Sequence, residues 1–549
     1  MDASKKFVLL AILDGWGISA IEKGNAIVNA NCLNMKRLMA SFPHTQLGAS
    51  GDSVGLPRGE VGNTETGHLN LGAGRIIYQD LARINVSIAD GSFFDNPVLT
   101  GAIDHAQKQG SKLHIMGLVG AGGVHSNAEH LYALIQLAAR RNFKEVYVHA
   151  FTDGRDSPPT ASYSYLQALE NLMQKESTGK IASVMGRYWA MDRDLRWDRT
   201  AKAYFALTKG EGIKAKSVKE AVDAAYKNNH TDEFIEPTII TTDGTTPIAT
   251  IQNNDAVIFF NFRIDRPRQL ARAFILPSLS VQQSWGFDPY AVKYDKKHTE
   301  EKATATPVFE RGKMLSNLYF VTMTEYEKSL GNLGAHIAFP PEVIQMPLGR
   351  VVSMADKKQL RAAESEKERF VTFYFNGQRE VGFENEDHLI VPSPKVKTYD
   401  LKPEMSAHEL TDKVLARLAT GSYDLIVMNF ANVDMVGHTG NYEAAVKAVE
   451  AVDECVGKLS NYILQTDGTM FITADHGNAE EMLAADGKPS TEHSANPVPF
   501  IAISKDFLGR TQTLPSGVLA DVAPTIVKRL GLEVPSSMTG RNLLETMRY

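Results

Sequence analysis

The run Leu425-Ile426-Val427-Met428-Asn429-Phe430 leads into Asp434-Met435-Val436-Gly437-His438-Thr439-Gly440 and then into a long amphipathic stretch, and these three pieces decide the fold. The first piece is short, apolar and β-branched at its start, which reads as a buried strand. From 443 to 464, Val446, Val449, Val452, Val456, Leu459 and Ile463 recur at steps of three or four, which is one face of a helix. Between strand and helix, Asp434 and His438 stand four apart, so one helical turn aims both side chains at the same point.

The same alternation continues outward from this unit. Apolar runs at 7–13, 113–119, 145–150, 256–262 and 470–474 read as further buried strands, with helical periodicity between them. Strand and helix in turn predict α/β layers with mainly parallel sheets. Ligands in such sheets gather beyond the carboxyl ends of the strands. Those positions hold Asp14, the loop Gly122-Gly123-Val124-His125, the loop Asp153-Gly154-Arg155-Asp156, then Arg263 with Arg266, Asp434 with His438, and Asp475 with His476. The polar stretch 283–314 reads as a surface excursion or connector near a domain boundary.

Bulk composition narrows the function classes. A chain of 549 residues exceeds one ordinary core and predicts two or more domains. A net charge of -6 gives no reason to expect binding to nucleic acid or acidic membranes. Cys32 and Cys455 are the only cysteines, and neither has a partner at metal-ligand spacing, which fits a reducing compartment. Lys5-Lys6 before the apolar run 7–13 mimics a short signal peptide, but the run meets Asp14-Gly15-Trp16-Gly17 with no small-x-small cleavage site. No apolar segment approaches the roughly 20 residues needed to span a bilayer. The expected location is the cytoplasm.

Asp14, Asp434, His438, Asp475, His476 and His493 form a set of three carboxylates and three imidazoles. Taken singly, each is an ordinary turn, cap or structural residue. Together at strand ends, beside Gly15, Gly437 and Gly477, they suit two divalent cations with mixed nitrogen and oxygen ligands. The absence of thiolate points to Mn2+, with Co2+, Zn2+ and Mg2+ left open. The Gly-bounded turn Gly62-Asn63-Thr64-Glu65-Thr66-Gly67-His68 carries two hydroxyls. Beside a metal a hydroxyl becomes a nucleophile, and amides at a helix start hold a phosphate; by itself the turn reads equally as a helix cap.

Asp14-Gly15-Trp16-Gly17, Gly62-Asn63-Thr64-Glu65 with Gly67-His68-Leu69-Asn70, Asp434 to Gly440, and Thr473-Ala474-Asp475-His476-Gly477-Asn478 resemble the cofactor-independent phosphoglycerate mutases of the alkaline phosphatase superfamily. The resemblance runs from about residue 7 to the C-terminus. It implies an alkaline phosphatase-like metal-binding domain, discontinuous over 1–78 and 318–549, with an inserted α/β phosphotransferase domain at 79–317. By analogy Asp434, His438 and His493 hold one metal, and Asp14, Asp475, His476 and the nucleophilic hydroxyl of Thr64 hold the other. The family pattern usually has Ser at the nucleophile; Thr keeps the alcohol and adds a methyl that restricts its rotamer.

The inserted portion contributes Arg155, Arg187, Arg193, Arg263 and Arg266, and a guanidinium fork suits both the carboxylate and the phosphate of phosphoglycerate. The family pattern carries over to His125, Arg155, Asp156, Arg187, Arg193, Arg263 and Arg266 as substrate contacts, and to Lys358 as a lysine reaching the phosphate. His125 reads either as a proton-transfer group or as a loop histidine bonded to backbone. The implied activity is that of an isomerase of glycolysis and gluconeogenesis. It interconverts 3-phosphoglycerate and 2-phosphoglycerate through a phosphoenzyme, without 2,3-bisphosphoglycerate, in a monomer. A mutase must also retain glycerate and exclude water, for which closure of the Arg-bearing domain is expected. The alternatives are a metal-dependent phosphatase or phosphodiesterase on the same core, a phosphopentomutase, and a non-catalytic binder disabled by the Ser-to-Thr change.

Overall fold

Two eight-stranded sheets organise the protein, and each belongs to its own part of the chain. The structure, a computed structural model, describes residues 6–279, 306–484 and 487–547. Cα packing divides the chain into one unit of Met1–Ala82 with Val343–Tyr549 and a second of Arg83–Glu342.

In the first unit the strand order is Glu386–Val391, Gln359–Glu364, Leu425–Phe430, Val8–Leu13, Thr469–Thr473, Val498–Ile503, His44–Gly48 and Gly517–Val518. The first five run parallel, and Val498–Ile503 runs against both of its neighbours. Every residue of Val8–Leu13 and Leu425–Phe430 is buried, as continuous apolar runs must be when helices cover both faces of a parallel sheet. The helix expected at 443–464 spans Tyr442–Gln465, with Asn441 accepting from the Ala444 N–H at its start. Val449, Val452, Val456, Leu459 and Ile463 are its buried face, and Val446 is half-buried against the same core.

In the second unit the order is His336–Phe339, Tyr319–Thr324, Ala256–Phe259, Leu113–Val119, Val146–Thr152, Lys180–Gly186, Thr238–Ile240 and Ile213–Ala215. Only the Lys180–Gly186 and Thr238–Ile240 pair is antiparallel. The run expected at 256–262 is shorter as a strand: the Phe260 N–H still donates to the Met116 carbonyl, but the buried Phe262 donates to the His125 carbonyl instead of continuing the ladder.

The domain boundaries differ from those expected at 78/79 and 317/318. Tyr319–Thr324 pairs in parallel with Ala256–Phe259, and His336–Phe339 pairs with Tyr319–Thr324, so both strands complete the second sheet rather than the first. The division falls after Ala82 and after Glu342. Most of the polar stretch 283–314 lies outside the described residues. No helix among the described residues is long and apolar enough to cross a membrane.

Candidate active site

The carboxyl ends of four neighbouring strands in the first sheet converge on one buried point. Asp14 follows Val8–Leu13, Asp475 and His476 follow Thr469–Thr473, Asp434 lies in the short helix after Leu425–Phe430, and Lys367 follows Gln359–Glu364. Thr64 opens the helix Thr64–Ala73, capped by Asn63, whose Oδ1 accepts from the Thr66 N–H at 2.9 Å. The Thr64 Oγ1 lies 3.0 Å from His476 Nε2 and 3.2 Å from Lys367 Nζ. The nucleophile candidate is therefore buried at a helix N-terminus, where the peptide dipole and amides favour negative charge.

Two sets of donors crowd together here: Asp14, Asp475 and His476, and Asp434, His476 and His493, each with ligand atoms within 4.8 Å of one another. Half-exposed His438 joins the second set, its Nε2 standing 3.2 Å from Asp434 Oδ1 and 3.0 Å from His493 Nε2. Three imidazoles share one orientation. The Nδ1 of His438, His493 and His476 faces the backbone carbonyls of Thr491, Gly62 and Gly477 at 2.7, 2.9 and 3.2 Å. A carbonyl can only accept, so each Nδ1 carries a proton and each Nε2 is the nitrogen turned toward the cluster, the orientation of metal-bound histidine.

The charge pattern fits cations as well. Asp475 Oδ2, fully buried, lies 3.3 Å from His68 Nδ1 and 3.5 Å from His476 Nε2. Lys367 Nζ, also buried, bridges Asp14 Oδ1 at 2.8 Å and Asp434 Oδ2 at 2.7 Å. Burial works against its ammonium, but Asp14, Asp434 and Asp475 outweigh that and hold its pKa above the ordinary lysine value. Burial also works against the His476 imidazolium, but Asp475, Asp14 and Asp434 raise its pKa to about 10, so without metal a lysine and a histidine balance carboxylates that divalent cations would otherwise compensate. Around this centre, Asn429 Nδ2 donates to Asp14 Oδ2 at 2.7 Å and faces His68 Nε2 at 3.1 Å, while His68 Nδ1 reaches the Thr64 carbonyl at 2.9 Å.

A separate basic cluster occupies strand ends of the second unit. Arg187, buried, donates from one nitrogen to Asp153 at 2.5 Å and Asp156 at 2.6 Å, and its Nε has no hydrogen-bond partner among the described residues. Asp265 accepts from Arg193 Nη1 at 2.7 Å and lies 3.3 Å from Arg263 Nε and 3.5 Å from His125 Nδ1. His125 Nε2 faces Asp156 at 3.9 Å. Arg266 Nη1 donates to the Met191 carbonyl at 3.2 Å, and Arg155 pairs with Glu233 at 3.6 Å. Burial, with Arg187 and Arg193 nearby, lowers the Arg266 pKa to about 10. Burial likewise pushes His125 down to about 4, so its imidazole is neutral at pH 7. Five guanidiniums are thus crowded among Asp153, Asp156, Asp265 and Glu233, and a guanidinium fork is a group that suits carboxylate or phosphate.

Comparisons with known proteins agree with this geometry. Residues 84–328 match the model of the BPG-independent PGAM N-terminus, and residues 285–487 match the type I phosphodiesterase / nucleotide pyrophosphatase model. The 2,3-bisphosphoglycerate-independent phosphoglycerate mutase of Clostridium kluyveri is 51% identical over 98% of this chain and 100% of its own length. The chain belongs to the 2,3-bisphosphoglycerate-independent phosphoglycerate mutases. The Moorella thermoacetica mutase is 49% identical over 98% of each chain. A crystal structure of Leishmania mexicana phosphoglycerate mutase at low cobalt concentration aligns over 98% of both chains with 29% identity and a TM-score of 0.51.

Within this mutase framework one residue read from the sequence is misplaced. Lys358 precedes the strand Gln359–Glu364, so it sits at the opposite edge of the sheet, roughly 20 Å of strand from the carboxyl end. There its exposed Nζ pairs with Asp387 at 3.0 Å. Lys367, at the carboxyl end, is the lysine that meets Thr64. Sequence reasoning also missed Asp153, Asp265, His68 and Asn429. Asp153 stands in the loop after Val146–Thr152, and Asn429 is the one amide inside an apolar strand, which is itself a signal of a polar role.

Proposed function

We propose that the chain interconverts 3-phosphoglycerate and 2-phosphoglycerate through a phosphothreonine on Thr64, at a centre for two divalent cations and without 2,3-bisphosphoglycerate. The observation that carries this reading is Thr64 Oγ1, buried at a helix N-terminus between Lys367 Nζ and His476 Nε2. Asp434, His438 and His493 hold one cation, and Asp14, Asp475, His476 and Thr64 Oγ1 hold the other. When bound, the cations neutralise phosphate oxygens and favour the alkoxide form of the hydroxyl.

The residues then divide the work. Thr64 Oγ1 attacks phosphorus, and the bond from phosphorus to the glycerate oxygen breaks. Lys367 and the first amides of the helix stabilise the charge on the transferred group. Arg187, Arg193, Arg263 and Arg266, with Arg155, retain the glycerate by its carboxylate. The proton that Thr64 gives up on attack is matched by the one the departing glycerate oxygen takes up; Asp156 and neutral His125 then accept the proton of the hydroxyl that attacks next, and it is restored to Thr64 Oγ1 as the phosphoryl group leaves. That hydroxyl removes the phosphoryl group from Thr64 and completes the isomerisation.

Mn2+ suits the nitrogen and carboxylate donors, and Co2+, Zn2+ and Mg2+ suit them as well. Two buried free cysteines and an acidic surface support the cytoplasm, with no nucleic-acid or membrane partner. The match to type I phosphodiesterases favours a second reading, hydrolysis on the same core. The arginine cluster argues for retention of glycerate instead.

Acid quenching during turnover, followed by peptide mass analysis, tests the intermediate. A phosphoryl mass on the Thr64 peptide is expected, with Thr64→Ala abolishing both it and turnover and Thr64→Ser keeping both. Full activity in Thr64→Ala would overturn the scheme. Phosphate release without isomerisation would move the protein to the hydrolases.

A further inference from the structure

Glu480 lies behind the metal-ligand loops and touches none of the candidate ligands, yet it ties their loops together. Its side chain is buried. Oε2 accepts from the Gly17 N–H at 3.1 Å and the Asn478 N–H at 2.8 Å. Oε1 accepts from the Ser494 hydroxyl in a short hydrogen bond and from Asn496 Nδ2 at 3.1 Å. Gly17 lies on the loop after Asp14, Asn478 on the loop after His476, and Ser494 adjoins His493. Asn478 passes the connection to the fourth loop, because its Nδ2 donates to Asp434 Oδ1 at 3.0 Å.

Two motif glycines are shaped around this carboxylate. A Cβ on Gly17 would stand 2.2 Å from the Glu480 carboxyl carbon, and one on Gly477 would stand 2.3 Å from Oε1. A side chain at either position would have to displace the Glu480 carboxylate, and at Gly477 the Ser494 hydroxyl as well, so the backbone of both ligand loops packs directly on Glu480. Ser494 also pairs with Gly477 through its backbone N–H at 3.0 Å, which closes the two loops onto each other.

We propose that Glu480 is the positioning residue of the metal centre, one carboxylate that sets the spacing of the Asp14, Asp475–His476 and His493 loops and, through Asn478, the orientation of Asp434. The proposal rests on the reading that these residues hold two cations. Four donors converge on two oxygens, so replacing the carboxylate by an amide must leave at least one donor facing an NH2 group. The two backbone N–H groups cannot reverse, whereas the Ser494 hydroxyl can turn and accept. The amide nitrogen of Glu480→Gln therefore goes to the Ser494 side, and the loop of His493 is the one that loosens. The cation held by Asp434, His438 and His493 should be weakened more than the other.

Titrating metal-stripped protein with Mn2+ by calorimetry and electron paramagnetic resonance tests this without reference to turnover. Wild type should take up two ions. Glu480→Gln should weaken one by about 10–100-fold, the range for residues that orient metal ligands, with a smaller loss at the other. Ser494→Ala should weaken the same ion by less. With Mn2+ in excess, KM for 3-phosphoglycerate should hold while kcat falls, since the arginine cluster is untouched. Two ions bound as tightly by Glu480→Gln as by wild type would overturn the proposal. Fewer than two ions on wild type would instead overturn the two-cation reading beneath it. Should Glu480→Gln fail to fold, Ser494→Ala decides, and unchanged affinity there would refute the positioning role.

Discussion

Lys367→Met is the perturbation that separates the structural from the chemical role of the buried lysine. The ammonium sits 2.8 Å from Asp14 and 2.7 Å from Asp434, with Asp475 close behind. At an effective dielectric near 20, each of the two close pairs is worth roughly 6 kcal/mol before desolvation. Burying the ions offsets much of that, and removing one partner of a buried pair costs about 3–5 kcal/mol net. In chelator, Lys367→Met should lose about that much unfolding free energy in urea, followed by circular dichroism. In saturating Mn2+ the loss should fall below half, because the cations compensate the same carboxylates and no longer compete with the ammonium. Turnover should nevertheless drop about 10²–10³-fold, the typical loss for a donor to a developing negative charge. Equal destabilisation with and without Mn2+, or full turnover in the variant, would refute the reasoning.

Three further expectations follow from the geometry. Arg187→Lys should lower kcat/KM for 3-phosphoglycerate about 10–100-fold with the melting temperature nearly unchanged, since an ammonium can meet Asp153 and Asp156 but has no planar fork for a carboxylate; steady-state kinetics decides. Lys358→Ala should leave kcat/KM unchanged, because Lys358 lies at the opposite edge of the sheet; a tenfold loss would contradict its placement. Burial raises Glu364 from 4.5 to about 7. The folded state then holds a proton that the unfolded state releases, so this contribution is fully present below pH 4.5 and lost as pH rises through 7. Glu364→Gln should flatten that slope, worth at most about 3 kcal/mol between the two values, as urea midpoints across the range will record.

The sequence yields the α/β class readily, because strands buried on both faces have to be apolar throughout, as Val8–Leu13 and Leu425–Phe430 are. Gln359–Glu364 escapes for the opposite reason. It is buried along its whole length yet contains Gln359, Arg361 and Glu364, whose Arg361 Nη2 donates to Gln359 and Glu386 and whose Glu364 Oε1 accepts from the Ser406 N–H. No apolar run marks it, so nothing in the linear pattern places Lys367 at a strand's carboxyl end. In the candidate metal centre Asp14, Asp434, His438, Asp475 and His476 are legible because each follows a recognisable strand or stands in a glycine-flanked motif, whereas His493 has neither signal. Asp265 and Glu480 are not legible, because their work is done by partners distant in sequence, and nothing in a linear pattern records which backbone N–H a carboxylate will meet. The boundary at 342/343 was hidden similarly, since pairing of Tyr319–Thr324 with Ala256–Phe259 is a choice between two sheets.

The central claim is tested most directly by following conversion of 3-phosphoglycerate to 2-phosphoglycerate by the purified protein in Mn2+, with no 2,3-bisphosphoglycerate, before and after chelation, while free phosphate is measured in the same tube. The account predicts isomerisation that chelator abolishes and Mn2+ restores, with little phosphate released. Phosphate without isomerisation, or isomerisation that survives complete removal of metal, would contradict it.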